Sequence, residues 1–81
     1  KAYPNPFNQS CKIVVDLLDS ELITINIYDI LGNQVDQIIN ENLYAGKHTF
    51  YWNAHGRTSG VYFIKFQNSH SIQTQKIMLM K

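Results

Sequence analysis

The residues best equipped for chemistry in this chain are Cys11, the histidines His48, His55 and His70, and six carboxylates: Asp16, Asp19, Glu21, Asp29, Asp36 and Glu41. A thiol beside an imidazole can act as nucleophile and base, and imidazoles with a carboxylate can hold zinc. The spacing favours neither. The three histidines lie far apart without the intervals of a metal site, so only strand pairing would bring two of them together. A lone cysteine in a strand reads as a small buried hydrophobe. By the same reasoning His48 belongs in or near the core, with His55 and His70 on loops. The carboxylates stand singly at strand edges and turns, too dispersed for a calcium loop. Asp29 is placed to cap the turn "DILG", and Asp19 with Ser20 to cap the corner before it. No glycine-rich phosphate loop is present, and "NQS" at Asn8 is a three-residue sequon of little specificity. No cofactor and no metal are expected, and the chain reads as no enzyme.

Exposed aromatic rings offer a different chemistry. Tyr3, Tyr44 and Tyr51 can form a platform for a sugar ring, although in so small a domain the favoured reading is that each covers the rim of the core. That platform would make the chain a carbohydrate- or protein-binding module.

These residues must be positioned by a fold, and the chain bounds what that fold can be. With 81 residues, 44% hydrophobic and 12% aromatic, it has material for one core. The net charge is +1, and the seven basic residues are scattered. Nucleic acid is therefore not expected as a partner. One cysteine excludes an internal disulfide. The longest apolar run is too short to cross a bilayer, and no basic stretch followed by an apolar one opens the chain, so no stable membrane insertion is expected. Either the protein stays in the cytoplasm or the chain is a piece of a longer precursor.

Period-two alternation runs nearly throughout. "CKIVVDLL" sets Ile13, Val15 and Leu17 on one face, and "LITINIYD" does the same with Ile23, Ile25 and Ile27. Between "INIYD" and "NQVDQII", Gly32 in "DILGN" can take a positive φ, which predicts a hairpin. Gly46 marks the next corner. "KHTFYW" then places His48, Phe50 and Trp52 on the face predicted to point inward. "NAHGRTSG" is a loop, and "VYFIKF" opposes Tyr62, Ile64 and Phe66 to Val61, Phe63 and Lys65, with Lys65 marking the wet face. In "IQTQKIMLMK" the alternation dissolves into Ile77, Met78, Leu79 and Met80, and the faces stay unassigned. Such strands at about ten-residue spacing predict an all-β fold, an immunoglobulin-like antiparallel β-sandwich of six to seven strands. The opening "YPNPF" is a rigid strap, confined to an edge by Pro4 and Pro6, that delivers Phe7 to the end of the sandwich while Asn5 and Asn8 cap turns. A seventh, short strand can come from this segment.

"YPNPFN", "IYDILGNQV", "AGKHTFYWN", "SGVYFIKF" and "TQKIMLMK" occur in the order and spacing of the C-terminal sorting domains of the type IX secretion system, which the chain resembles from Tyr3 to Lys81. Several pieces are also similar to the immunoglobulin-like domain of the flagellar hook-capping protein, which implies a structural or scaffolding role as the alternative. The sorting resemblance implies a single C-terminal domain over 1–81, with an extended leading segment 1–9 and a β-sandwich 10–81. It implies a non-catalytic signal that directs a fused cargo across the outer membrane: into the periplasm by a signal peptide, then to the cell surface or medium. The implied partners are the outer-membrane translocon and its shuttle proteins, and a sortase-like cysteine protease that removes the domain. By the same resemblance, partner recognition falls on Lys76, Ile77, Met78, Leu79, Met80 and Lys81. The leading motif is Tyr3, Pro4, Asn5, Pro6, Phe7 and Asn8, and Gly32, Gly46, Trp52, Gly60 and Tyr62 are fold determinants. A terminal apolar strand flanked by lysines can add its edge to a partner sheet, the lysines discouraging self-pairing. Gln75 stands where a second basic residue is frequent in the family.

Overall fold

A computed structural model describes residues 1–80 and shows two facing sheets of seven strands: β1 Ala2–Tyr3, β2 Ser10–Leu17, β3 Glu21–Asp29, β4 Gln34–Leu43, β5 Gly46–Asn53, β6 Gly60–Gln67 and β7 Ile72–Leu79. One sheet has the order β1-β2-β5 and the other β4-β3-β6-β7. Every strand pairing is antiparallel. This is an all-β sandwich consistent with the immunoglobulin-like architecture, and its seventh strand is the short β1 inside the proline-rich leader.

The alternation places the core. Ile13, Val15 and Leu17 of β2 face Ile23, Ile25 and Ile27 of β3, Tyr62 and Ile64 of β6, and Ile77 and Leu79 of β7, all buried. β-branched side chains suit this pleated, half-covered surface because their stiff χ1 costs little there. Trp52 anchors the middle: its ring packs edge-on against Tyr62 at 5.2 Å and tilts against Phe7 at 5.7 Å. Its Nε1 donates to Asp36 Oδ2 at 3.0 Å, tying β5 of one sheet to β4 of the other. The inward face of β5 is graded, however. Trp52 is buried, whereas Phe50 and His48 are half-buried toward the rim.

The β3–β4 hairpin closes as its residues dictate. Asp29 Oδ1 accepts from the amides of Leu31 and Asn33, both at 2.9 Å, and the Gly32 amide donates to the Asp29 carbonyl at 3.1 Å. Gly32 sits at φ +86°, where a Cβ would crowd its own backbone. The β2–β3 corner works differently: among the described residues Asp19 and Ser20 make no hydrogen bond and are exposed, so the expected cap is not formed there.

The last strand regains the period that its composition hides. Ile77 and Leu79 point inward, while Met78 and Met80 are 39% and 54% exposed. Methionine on a solvent face carries an inward-looking hydropathy, which is why the run over residues 77–80 reads as continuous.

Candidate functional site

The leader and the final strand, at opposite ends of the sequence, meet on one edge. β7 is the outer strand of its sheet, and alternate residues turn their main-chain groups away from β6. Asn5 meets two of these groups: its Nδ2 donates to the Lys76 carbonyl and its Oδ1 accepts from the Met78 amide, both at 3.0 Å. Phe7 continues the pairing with its own backbone. Its amide donates to the Met78 carbonyl at 2.9 Å, its carbonyl accepts from the Met80 amide at 2.8 Å, and it forms a parallel bridge with Leu79. The Phe7 side chain is buried against Trp52. Both X-Pro bonds of the strap, Tyr3–Pro4 and Asn5–Pro6, are cis.

Two expectations change as a result. Asn5 caps a strand edge and not a turn, because a carboxamide presents a donor and an acceptor side by side, as a neighbouring strand would. Asn8 is exposed and makes no hydrogen bond among the described residues. The edge of β7 from Lys76 to Met80 is therefore engaged within the molecule, and its backbone is not free to pair with a partner sheet. Lys81 lies outside the described residues.

What the terminal strand does present is its outer face. Strand register sets Lys76 beside Phe63 and Tyr28, Thr74 beside Lys65 and Asn26, and Met78 beside Val61. Tyr28, Val61 and Phe63 are half-buried, and the Lys65 ammonium lies 5.8 Å from the Tyr28 ring centroid. A shallow depression of about 320 Å³ between Tyr28, Ile30, Phe63 and Lys65 adjoins this surface. An apolar centre with lysines at its margin suits a protein partner that offers an apolar patch rimmed by carboxylates.

The two sheets are also stitched beside this edge. Gln75 reaches from β7 to β1, its Oε1 accepting from the Ala2 amide and its Nε2 donating to the Ala2 carbonyl, each at 3.1 Å. Nothing in the local pattern of "IQTQK" signals a contact across 73 residues of chain.

The residues that looked chemical stay apart. Cys11 is buried in the core, and burial pushes its thiol up from the ordinary value. That is the environment of a structural cysteine and not of an activated nucleophile. His48 is half-buried and donates from Nε2 to the Tyr44 carbonyl at 2.6 Å, while His55 and His70 are exposed on loops. Among the described residues no group of three His, Cys, Asp or Glu could hold a metal ion, and no helix is long and apolar enough to cross a membrane.

The tyrosines do not cover the rim. Tyr44 and Tyr51 are 82% and 64% exposed. Tyr3 and Tyr51 flank Lys12 on the outer face of the three-stranded sheet, with the Lys12 ammonium 5.5 Å from the Tyr3 ring centroid. Tyr44 stands at the β4–β5 corner, beyond the far end of β5 from Tyr51, so the three rings do not form one platform.

Compared with known protein families, residues 1–80 match the model of the secretion system C-terminal sorting domain. No curated protein matches the chain.

Proposed function

Because the chain belongs to the family of type IX secretion C-terminal sorting domains, we propose that it acts as one unit over residues 1–81, a non-catalytic address read on the outer face around β7. A C-terminal sorting signal of this kind implies interaction with the type IX machinery and a precursor destined for the cell surface or the medium. The finer steps are part of the proposal. The precursor passes through the periplasm, the outer-membrane translocon and its shuttle proteins read the folded domain, and a sortase-like cysteine protease removes it afterwards.

The observation that carries the reading is the family match across essentially the whole chain. Within it, the geometry favours Lys76, Met78 and Met80 as the recognition residues, because their side chains are exposed. Ile77 and Leu79 are buried and serve recognition by holding that face in place. The leader over residues 3–8 acts indirectly: Asn5 and Phe7 close the edge, so a partner meets the sheet face and not the backbone. Gly32, Gly46, Gly60, Trp52 and Tyr62 keep the role of fold determinants.

The test is export of a periplasm-targeted fluorescent protein carrying residues 1–81 at its C-terminus, in a host with the type IX machinery and in one lacking its translocon. Fluorescence at the surface or in the medium of the first host alone is the expected result. Retention of a folded fusion in both hosts would refute the proposal.

A further inference from the structure

β1 covers only a short part of β2. Its register pairs Ala2 with Ile13 and Tyr3 with Lys12, and the Lys1 main chain extends it by one step. The Lys1 nitrogen donates to the Val14 carbonyl and the Lys1 carbonyl accepts from the Val14 amide, both at 2.7 Å. Beyond Val14 the edge of β2 has no partner strand among the described residues. There the two sheets part to form a groove of about 720 Å³, floored by Val15, Leu17, Ile64 and Phe66 and bounded on the β7 side by Gln73 and Gln75. It runs in line with β1.

We propose that this groove is the seat of the chain's own upstream segment, the three residues that precede Lys1 in a precursor, which continue β1 along β2 as far as Leu17. Direction and register follow from the bonds already made. The first upstream residue lies opposite Val15, the second opposite Asp16 and the third opposite Leu17. Main-chain bonding alternates, so Val14 is followed by Asp16, whose amide and carbonyl receive the second upstream residue. Side chains alternate too. Ala2 points inward, so the first and third upstream residues face the groove and are apolar, while the second faces outward beside Asp16 and is polar or basic.

A second observation fits the same occupant. Gln75 holds both main-chain groups of Ala2. Two residues earlier on β7, Gln73 shares the Gln75 side of the strand and is exposed, and its side chain makes no hydrogen bond among the described residues. The leader runs parallel to β7 from Ala2 at Gln75 to Phe7 at Leu79. One step back along both strands, the Gln73 amide meets the first upstream residue as Gln75 meets Ala2. The sandwich is thus completed by the junction with its cargo, which fixes the direction in which the cargo leaves the domain.

This inference rests on the C-terminal placement of the family and not on recognition by the secretion machinery, so it can be tested on purified precursor without any export. The measurement is amide hydrogen exchange of the folded precursor, comparing the parent with a proline at the second upstream residue and, separately, with Gln73→Ala. Proline removes the donor to the Asp16 carbonyl. The Asp16 amide is slowly exchanging in the parent and accelerates about a hundredfold in the proline variant, with the Ile25 amide unchanged, and about tenfold in Gln73→Ala. Rapid exchange of Asp16 in the parent would overturn the proposal, as would slow exchange that neither variant alters. Protection that depends on protein concentration would overturn it in favour of a second copy. Should the proline variant lose protection throughout, Gln73→Ala decides: acceleration at Asp16 supports the proposal and none refutes it.

Discussion

Replacing Asn5 by alanine removes both side-chain bonds that close the edge of β7, at Lys76 and at Met78. Each hydrogen bond contributes about 0.5–1.5 kcal/mol net. The freed carbonyl and amide lie at an exposed edge where water replaces the carboxamide, so the larger penalty of a buried orphan does not arise. The loss is therefore about 1–3 kcal/mol. A domain of this size has about 4–12 kcal/mol in all, so the variant still folds, with a melting temperature lowered by about 4–8 °C for each kcal/mol. The local signature is sharper. The Met78 amide donates to Asn5 alone among the described residues, so its hydrogen exchange accelerates in Asn5→Ala, whereas the Ile77 amide and the β3 amides keep their protection apart from the global loss. The opened edge also promotes self-association at high concentration. Thermal denaturation and residue-resolved exchange measure both effects. An unchanged melting temperature together with an unchanged Met78 amide would refute the claim that the leader holds the terminal strand.

Three further outcomes follow from other contacts. Asp36→Ala strands the Trp52 indole N–H in a part-buried site and lowers stability by about 1–3 kcal/mol, with Asp36→Asn milder because an amide oxygen still accepts; tryptophan fluorescence in a urea titration reads both. Gly32→Ala meets no neighbouring atom but must hold φ +86°, a cost of about 1–2 kcal/mol seen as a lower urea midpoint. The Cys11 thiol, buried and pushed up in pKa, is labelled by a disulfide reagent about a thousandfold more slowly in the native protein than in denaturant. A pKa raised by folding stabilises below the unfolded value and loses that contribution as pH rises through the folded one. Stability thus falls from about pH 9 upward, and Cys11→Ala removes that component of the fall.

Much of the sandwich is legible in the sequence because its determinants are local. Alternation over β2 and β3 fixes which isoleucines face inward, and "DILGN" carries its own turn chemistry in Asp29 and Gly32. What escapes a local reading are the contacts between chain ends. Asn5 looks like a turn former because that is its commonest use, yet its partners are 71 and 73 residues away. Gln75 reads as a departure from a basic position, and in the fold it clamps Ala2. The faces of β7 were masked by Met78 and Met80, which are apolar by composition and outward by position. The same outward methionines lie on the face proposed for recognition, so the feature that blurs the fold in the sequence also falls within the candidate site.

The claim at the centre of the account is that the machinery reads the outer face of β7 and not its edge. Cutting the chain after Gln75 tests this poorly, because it removes Ile77 and Leu79 from the core. The direct measurement is export of the reporter fusion carrying Lys76→Glu and Met78→Ser together, two exposed changes, with native folding verified by circular dichroism and melting temperature. The account predicts a folded domain whose cargo stays in the periplasm. A folded double variant exported as efficiently as the parent would contradict it.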